Sequence, residues 1–296
     1  MDDPKPGINI VIHSNPVYFV SDLHGDKDRF KILIRLVRQD VPPALFIGGD
    51  ITPHFARYTT HEDFFTDFLL PEFRMLKEEM KNCFPDIFII MGNDDPRIEE
   101  EHLFQGEVEG LWLYVHKRKT HFGNFPVYGY AYIPPTPFRL KDWERYDVSR
   151  YIDPGCVPPT EGIRSIDTGE DIEYCTIQND LSTLTGEDDL SHAIILFHSP
   201  PYQSNLDRAA LDGTEIDHVP LDVNVGSIAI KRFIEDRKPM ITLHGHVHES
   251  ARITGFWSEK IGKTYAFNAS TDQKGLSVIK IPLDNPAVAE RFIIGR

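Results

Sequence analysis

Cysteine is scarce: three residues in 296, Cys83, Cys156 and Cys175. They are odd in number and widely spaced. That excludes a disulfide framework and a CxxC metal site, and points to reduced thiols in a cytoplasmic protein. Long apolar runs are missing too. No stretch approaches the roughly 18 apolar residues of a membrane span, so none is expected. The first residues, MDDPKPGINI, lack a basic segment followed by an apolar one, so no secretory signal is expected there. Positive charge is in deficit: 31 Lys and Arg against 46 Asp and Glu leave a formal net charge of −15. That field repels polyanions and disfavours nucleic acid as a partner, unless a local cationic centre overrides it.

What remains is a globular composition, 41% hydrophobic and 26% charged, with 13 histidines. Histidine is the commonest metal ligand and the usual proton carrier near neutral pH. NPVYFVSD (15–22), ALFIGGD (44–50) and DIFIIMGN (86–93) read as buried strands. Between the first two, Phe30, Leu33, Ile34 and Val37 form the stripe of a half-buried helix over 26–40. Residues 61–83 read as a second helix interrupted at Pro71. The β-α-β-α-β order predicts a largely parallel sheet covered by helices. Residues 111–133 read as strands joined by a basic turn, HKRKTH, and residues 134–180 as a surface excursion with a short helix near DLSTL. Order resumes with a strand over 192–198, a polar loop over 199–225 and a helix over 227–237 capped by Ser227. A strand over 239–248 ends in histidines, and antiparallel strands close the chain. No linker divides the pattern, so a single domain over 1–296 is expected, with substrate-determining excursions at about 100–190 and 199–225.

Five strand ends carry the chemistry: SDLHG, GGD, GND, FHS and HGHVH. Ligands gather at the carboxyl ends of strands in open α/β sheets. Carboxylate, imidazole and amide oxygen suit hard or borderline divalent cations. In extended chain, residues i and i+2 face one side, so Asp22 and His24 can aim together, as can His246 and His248. A lone DxH is usually a solvated turn and a lone His198 a satisfied core histidine. All the clusters in order, each closing an apolar run, point instead to a metal site.

The order DxH, GD, GN, H, GHxH resembles the calcineurin-like metallophosphoesterases, from Asp22 to His248. The resemblance implies an α/β fold, a four-layer α-β-β-α sandwich of two mixed sheets with a dinuclear metal centre between them. By motif, Asp22, His24 and His248 would hold one divalent ion and Asn93, His198 and His246 the other, with Asp50 bridging. The ligand set suits Mn, Fe, Zn or Co, with Mg a further option. The implied activity is phosphoester hydrolysis of a small substrate, a hydroxide held between the ions attacking phosphorus in line.

One position departs from the family. Members that cleave monoesters read GNH followed by Asp or Glu, and here Asp94 stands where that histidine is expected, with Asp95 as the acid that would orient it. A carboxylate there repels a dianionic monoester more than a monoanionic diester, which predicts a phosphodiesterase bias. Asp50, Asn93, Asp94 and His54, four residues past Asp50, are the candidate catalytic residues. His218 is a weaker candidate, His244 reads as structural, and Lys117, Arg118 and Lys119 read as an exposed hairpin tip. Two rival classes remain. A scaffold that has lost catalysis would not need every ligand, and a nuclease would carry a basic-aromatic surface that this chain lacks.

Overall fold

The first strand, β1 (Val17–Val20), is four apolar residues, all buried, and such a run needs cover on both faces. It runs parallel to β2 (Ala44–Gly48), and β2 to β3 (Asp86–Ile90), as a chain alternating strand and helix requires. The intervening helix α1 (Lys27–Asp40) starts at Asp26, whose carboxylate accepts from the Asp28 and Arg29 amides, and buries Phe30, Leu33, Ile34 and Val37. The computed structural model describes residues 15–54 and 63–295.

Two six-stranded mixed sheets result. The first has the order β14-β13-β1-β2-β3-β4, where β4 is Leu113–Tyr114, β13 Leu276–Ile281 and β14 Glu290–Ile294. The second has the order β11-β12-β10-β7-β6-β5. Its strands are β5 (Arg118–Phe122), β6 (Phe125–Tyr130), β7 (Ile194–Phe197), β10 (Ile241–His244), β11 (Ser258–Ile261) and β12 (Thr264–Asn268). A short exposed hairpin, β8 (Glu215–Ile216) and β9 (Val219–Pro220), stands apart. Each large sheet has parallel central strands and antiparallel pairing toward an edge. The sheets face one another where β2 meets β7 and β3 meets β6. Helices α1 and α2 (Leu70–Met80) pack together on the first sheet's side, with α3 (Glu100–Val108) against β4. On the other side α4 (Ile177–Thr185) packs on α5 (Ile228–Arg237), which sets Phe233 edge-on to Phe197 of β7.

Three local readings change. Pro71 does not break the helix over 63–83. A π-helical turn, Phe65–Leu69, runs straight into α2, so the helix accommodates Pro71 by a widened turn just before it. The basic residues 117–119 are not a hairpin tip, because the turn is made at Gly123, φ +54°, and Arg118–Phe122 is an edge strand. Charged side chains on an edge discourage pairing with a second chain, and here Lys117, Arg118 and Lys119 reach Asp180, Glu107 and Asp188. The excursion over 134–176 is not only surface. It buries Trp143 completely, donates the Trp143 indole N–H to the Asp95 carbonyl at 2.8 Å, and holds a fully buried Lys141–Glu144 pair. Short polar segments in that stretch hid these anchors from a periodicity reading.

His116 sits inside this packing, edge-on to Trp143 and Tyr132. Its Nδ1 accepts from the Ala131 amide, and its Nε2 has no partner among the described residues. Burial pushes its imidazolium well below the usual range, so the ring is neutral in the fold. Unfolded histidine takes its proton near pH 6.5, so the contribution of His116 is complete above that pH and is lost as pH falls. We expect stability to drop between pH 7 and 5, His116 contributing up to about 1.4 kcal/mol per pH unit. In His116→Asn, whose amide oxygen keeps the bond from Ala131 without titrating, chemical denaturation should show a shallower pH slope despite lower stability at pH 7. An unchanged slope would refute the assignment.

Candidate metal centre

Strands β1, β2, β3, β7 and β10 end on one side of the sandwich, and the residues that follow them converge. Asp22, His24, Asp50 and His248 bring one ligand atom each within 4.8 Å of one another. His24 Nε2 and His248 Nε2 face each other at 3.1 Å, and His248 Nε2 lies 3.0 Å from Asp22 Oδ1. Beside them, His198 Nε2 lies 3.0 Å from the Asn93 amide oxygen and 3.4 Å from Asp50 Oδ2. The His246 ring tilts against His198 with centroids 5.4 Å apart. Asp50 therefore stands between both groups. All seven residues singled out as metal ligands are brought together.

The backbone turns sharply to achieve this. Asp22 (φ 58°), His24 (49°), Asp50 (50°) and His246 (71°) all adopt the left-handed conformation. That costs on the order of 1 kcal/mol at each non-glycine residue and clusters at functional sites. Gly92 permits the approach of two of these loops: a Cβ there would come within 2.3 Å of Asp50 Oδ1.

Asp22 and Asp50 are each 2% exposed. Among the described residues, the ion-pair partners of Asp22, Asp50 and Asp94 are all histidines, never lysine or arginine. Burial opposes ionisation of Asp22, yet the hydrogen bond and charge of His248 hold its carboxyl well below the usual range. Burial likewise opposes a proton on His248, but Asp22 outweighs it and raises the ring to about 9. His198 is pushed down by burial and held up by Asp50, with a net rise. Burial first, and then the charge of neighbouring histidines, drives His24 and His246 down to about 3 against the pull of Asp22, leaving neutral rings that can accept a cation. His198 Nδ1 lies 2.8 Å from the Gly48 carbonyl, which fixes the tautomer that presents Nε2 to the centre. The donor set, two buried carboxylates, an amide oxygen and four imidazoles, fits a pair of divalent cations. Among the described residues His24 Nδ1 has no hydrogen-bond partner, while its Nε2 is the nitrogen that faces His248 and Asp50.

Three neighbours in GNDDP take separate directions. Asn93 points at His198. Asp94 donates its amide to Asp50 Oδ1, and its carboxylate lies 2.8 Å from His54 Nδ1 and 3.5 Å from His24 Nδ1. Asp95 does not orient an imidazole, contrary to the family-based expectation. It is fully buried and accepts from the amides of Ile51, Thr52 and Gly92 and from the Thr52 hydroxyl. It ties the loop after β2 to the loop after β3, a role no local pattern signals. Arg29 was also missed; its guanidinium holds the Asp22 carbonyl at 2.9 Å. His244 is a satisfied core ring, bonded to the Ser199 carbonyl and the Thr242 hydroxyl and stacked on Phe197. His218 lies on the exposed turn between β8 and β9.

Removing the Asp95 carboxylate leaves several buried donors unmatched, at about 1–3 kcal/mol each. Asp95→Ala should lower unfolding stability by about 3 kcal/mol or more in denaturant titration. A loss under 1 kcal/mol would show that the two loops are held some other way.

Solved structures share the fold of this chain. Among curated protein sequences none matches the chain. In fold it is similar to TT1561 of Thermus thermophilus, at 18% identity and a TM-score of 0.57 over 95% of this chain and 99% of that one. It is similar also to a dimetal phosphatase from Danio rerio, at 12% identity and a TM-score of 0.50 over 90% and 92%. The sequence model of the calcineurin-like phosphoesterases matches residues 15–250, and the chain belongs to that family.

Proposed function

We propose that this protein is a metal-dependent phosphoester hydrolase that prefers diesters to monoesters. One observation carries the reading: Asp22 and Asp50 are buried side by side within a ring of imidazoles. Family membership supports metal-dependent phosphoester hydrolysis in general. Asp22, His24 and His248 would hold one divalent ion, Asn93, His198 and His246 a second, and Asp50 both. Bound there, the ions supply positive charge for phosphoryl oxygens and an acidified water. Asn93 contributes an uncharged oxygen and so limits the negative charge that a phosphoester meets.

The diester preference rests on Asp94, whose carboxylate stands beside His24. An extra unit of negative charge within roughly 6 Å of a carboxylate costs about 2–3 kcal/mol at an effective dielectric of about 20. Screening by solvent and counterions reduces this to about 1.4 kcal/mol, or tenfold. A monoester, dianionic at neutral pH, bears that cost; a monoanionic diester largely escapes it.

Manganese-loaded protein should turn over bis(p-nitrophenyl) phosphate with a kcat/KM about tenfold above that for p-nitrophenyl phosphate, and chelation should abolish both. Asp94→His should narrow the gap by raising monoester turnover. Equal or faster monoester turnover by the unaltered protein would defeat the diester reading; no turnover of either would defeat the enzyme reading.

A further inference from the structure

The mouth of the centre holds a side chain that the seven candidate ligands do not account for. His54 follows Pro53 in the loop after β2. That loop is locked to the one after β1: His24 donates its amide to the Asp50 carbonyl at 2.7 Å, and Gly25 to the Ile51 carbonyl at 2.8 Å. At Gly25, φ +64°, a Cβ would come within 2.3 Å of the Pro53 ring, so only glycine lets the loops meet this closely. The placement of His54 is thus set up to the residue before it. Its ring then lies parallel to His24, with centroids 4.8 Å apart and planes 15° apart. Its Nδ1 is taken by Asp94 at 2.8 Å, while half of the side chain stays exposed.

An exposed histidine rarely has two of its sides fixed, because ordering a side chain costs conformational entropy. Here one face is fixed by a ring of the centre and one nitrogen by a carboxylate. Among the described residues the remaining nitrogen, Nε2, has no partner, and it is the atom left to meet a ligand.

We infer that His54 is a catalytic residue that contacts the phosphoryl group through Nε2, and that Asp94 is its positioning residue. This rests on the hydrolase reading above. It gives the GNDDP motif a second use: the imidazole missing from the loop after β3 is supplied by the loop after β2, and the carboxylate in its place holds that imidazole.

Inorganic phosphate binding to the manganese-loaded protein tests this by calorimetry, independently of turnover. His54→Ala should weaken binding about tenfold, the effect of losing one hydrogen bond to a charged group. The same change should cost less than twofold in Asp94→Ala, where the ring has lost its anchor. It should cost nearly the full tenfold in Asp94→Asn, whose amide oxygen still accepts from Nδ1–H. Metal content by mass spectrometry should stay constant throughout. An equal cost of His54→Ala with and without Asp94, or no cost at all, would overturn the assignment. So would loss of metal in Asp94→Ala, which would make that carboxylate a ligand. Unaltered protein that binds no phosphate when loaded would refute the hydrolase reading itself.

Discussion

The structure is organised around two carboxylates that need positive charge where water is scarce. Asp22 and Asp50 are buried next to each other, and no lysine or arginine among the described residues pairs with them. Isolated charges in such a place are costly, so the site must bind protons or metal ions. Protons on His198 and His248 meet part of that need in the protein alone. Divalent cations meet it more fully, and they would displace those protons to take the same nitrogens. The two sheets exist, for this purpose, to aim five strand ends at one point. The left-handed residues at four of the ligand positions show that the backbone bends hard to reach it.

Adjacent carboxylates at the end of β3 repel one another, and the turn relieves this by sending each side chain elsewhere. Asn93 faces the centre, Asp94 faces the mouth, and Asp95 turns into the protein to gather the amides of Ile51, Thr52 and Gly92. Its peptide carbonyl in turn receives the Trp143 indole, so the excursion over 134–176 is anchored to the same turn. Residues far apart in sequence thereby share one support.

Much of this was legible in the sequence because it obeys short-range rules. The strands ending in Asp22, Asp50, Asn93 and His198 are apolar runs closed by polar residues. The helix over 26–40 shows its stripe, and Asp26 and Ser227 cap helices as their types suggest. What escaped depends on contacts across the fold. Nothing near Asp95 says that it serves a loop more than forty residues earlier. The strand Arg118–Phe122 reads as a charged turn because its polar side chains face solvent at a sheet edge. Trp143 and Lys141 lie in a stretch without periodicity, and their burial follows from what they meet, not from their neighbours. The contact between Asp94 and His54 joins two motifs that, read one at a time, gave opposite impressions of the site: one short of an imidazole, the other with one to spare.

The converging carboxylates and imidazoles would together hold two metal ions. Metal analysis of protein stripped with chelator, reloaded with Mn²⁺ and freed of excess counts them. Two ions per chain are expected in the unaltered protein and fewer in Asp50→Asn, which removes charge from the residue placed between both groups. No retained ion, or an unchanged number in Asp50→Asn, would contradict a two-ion site.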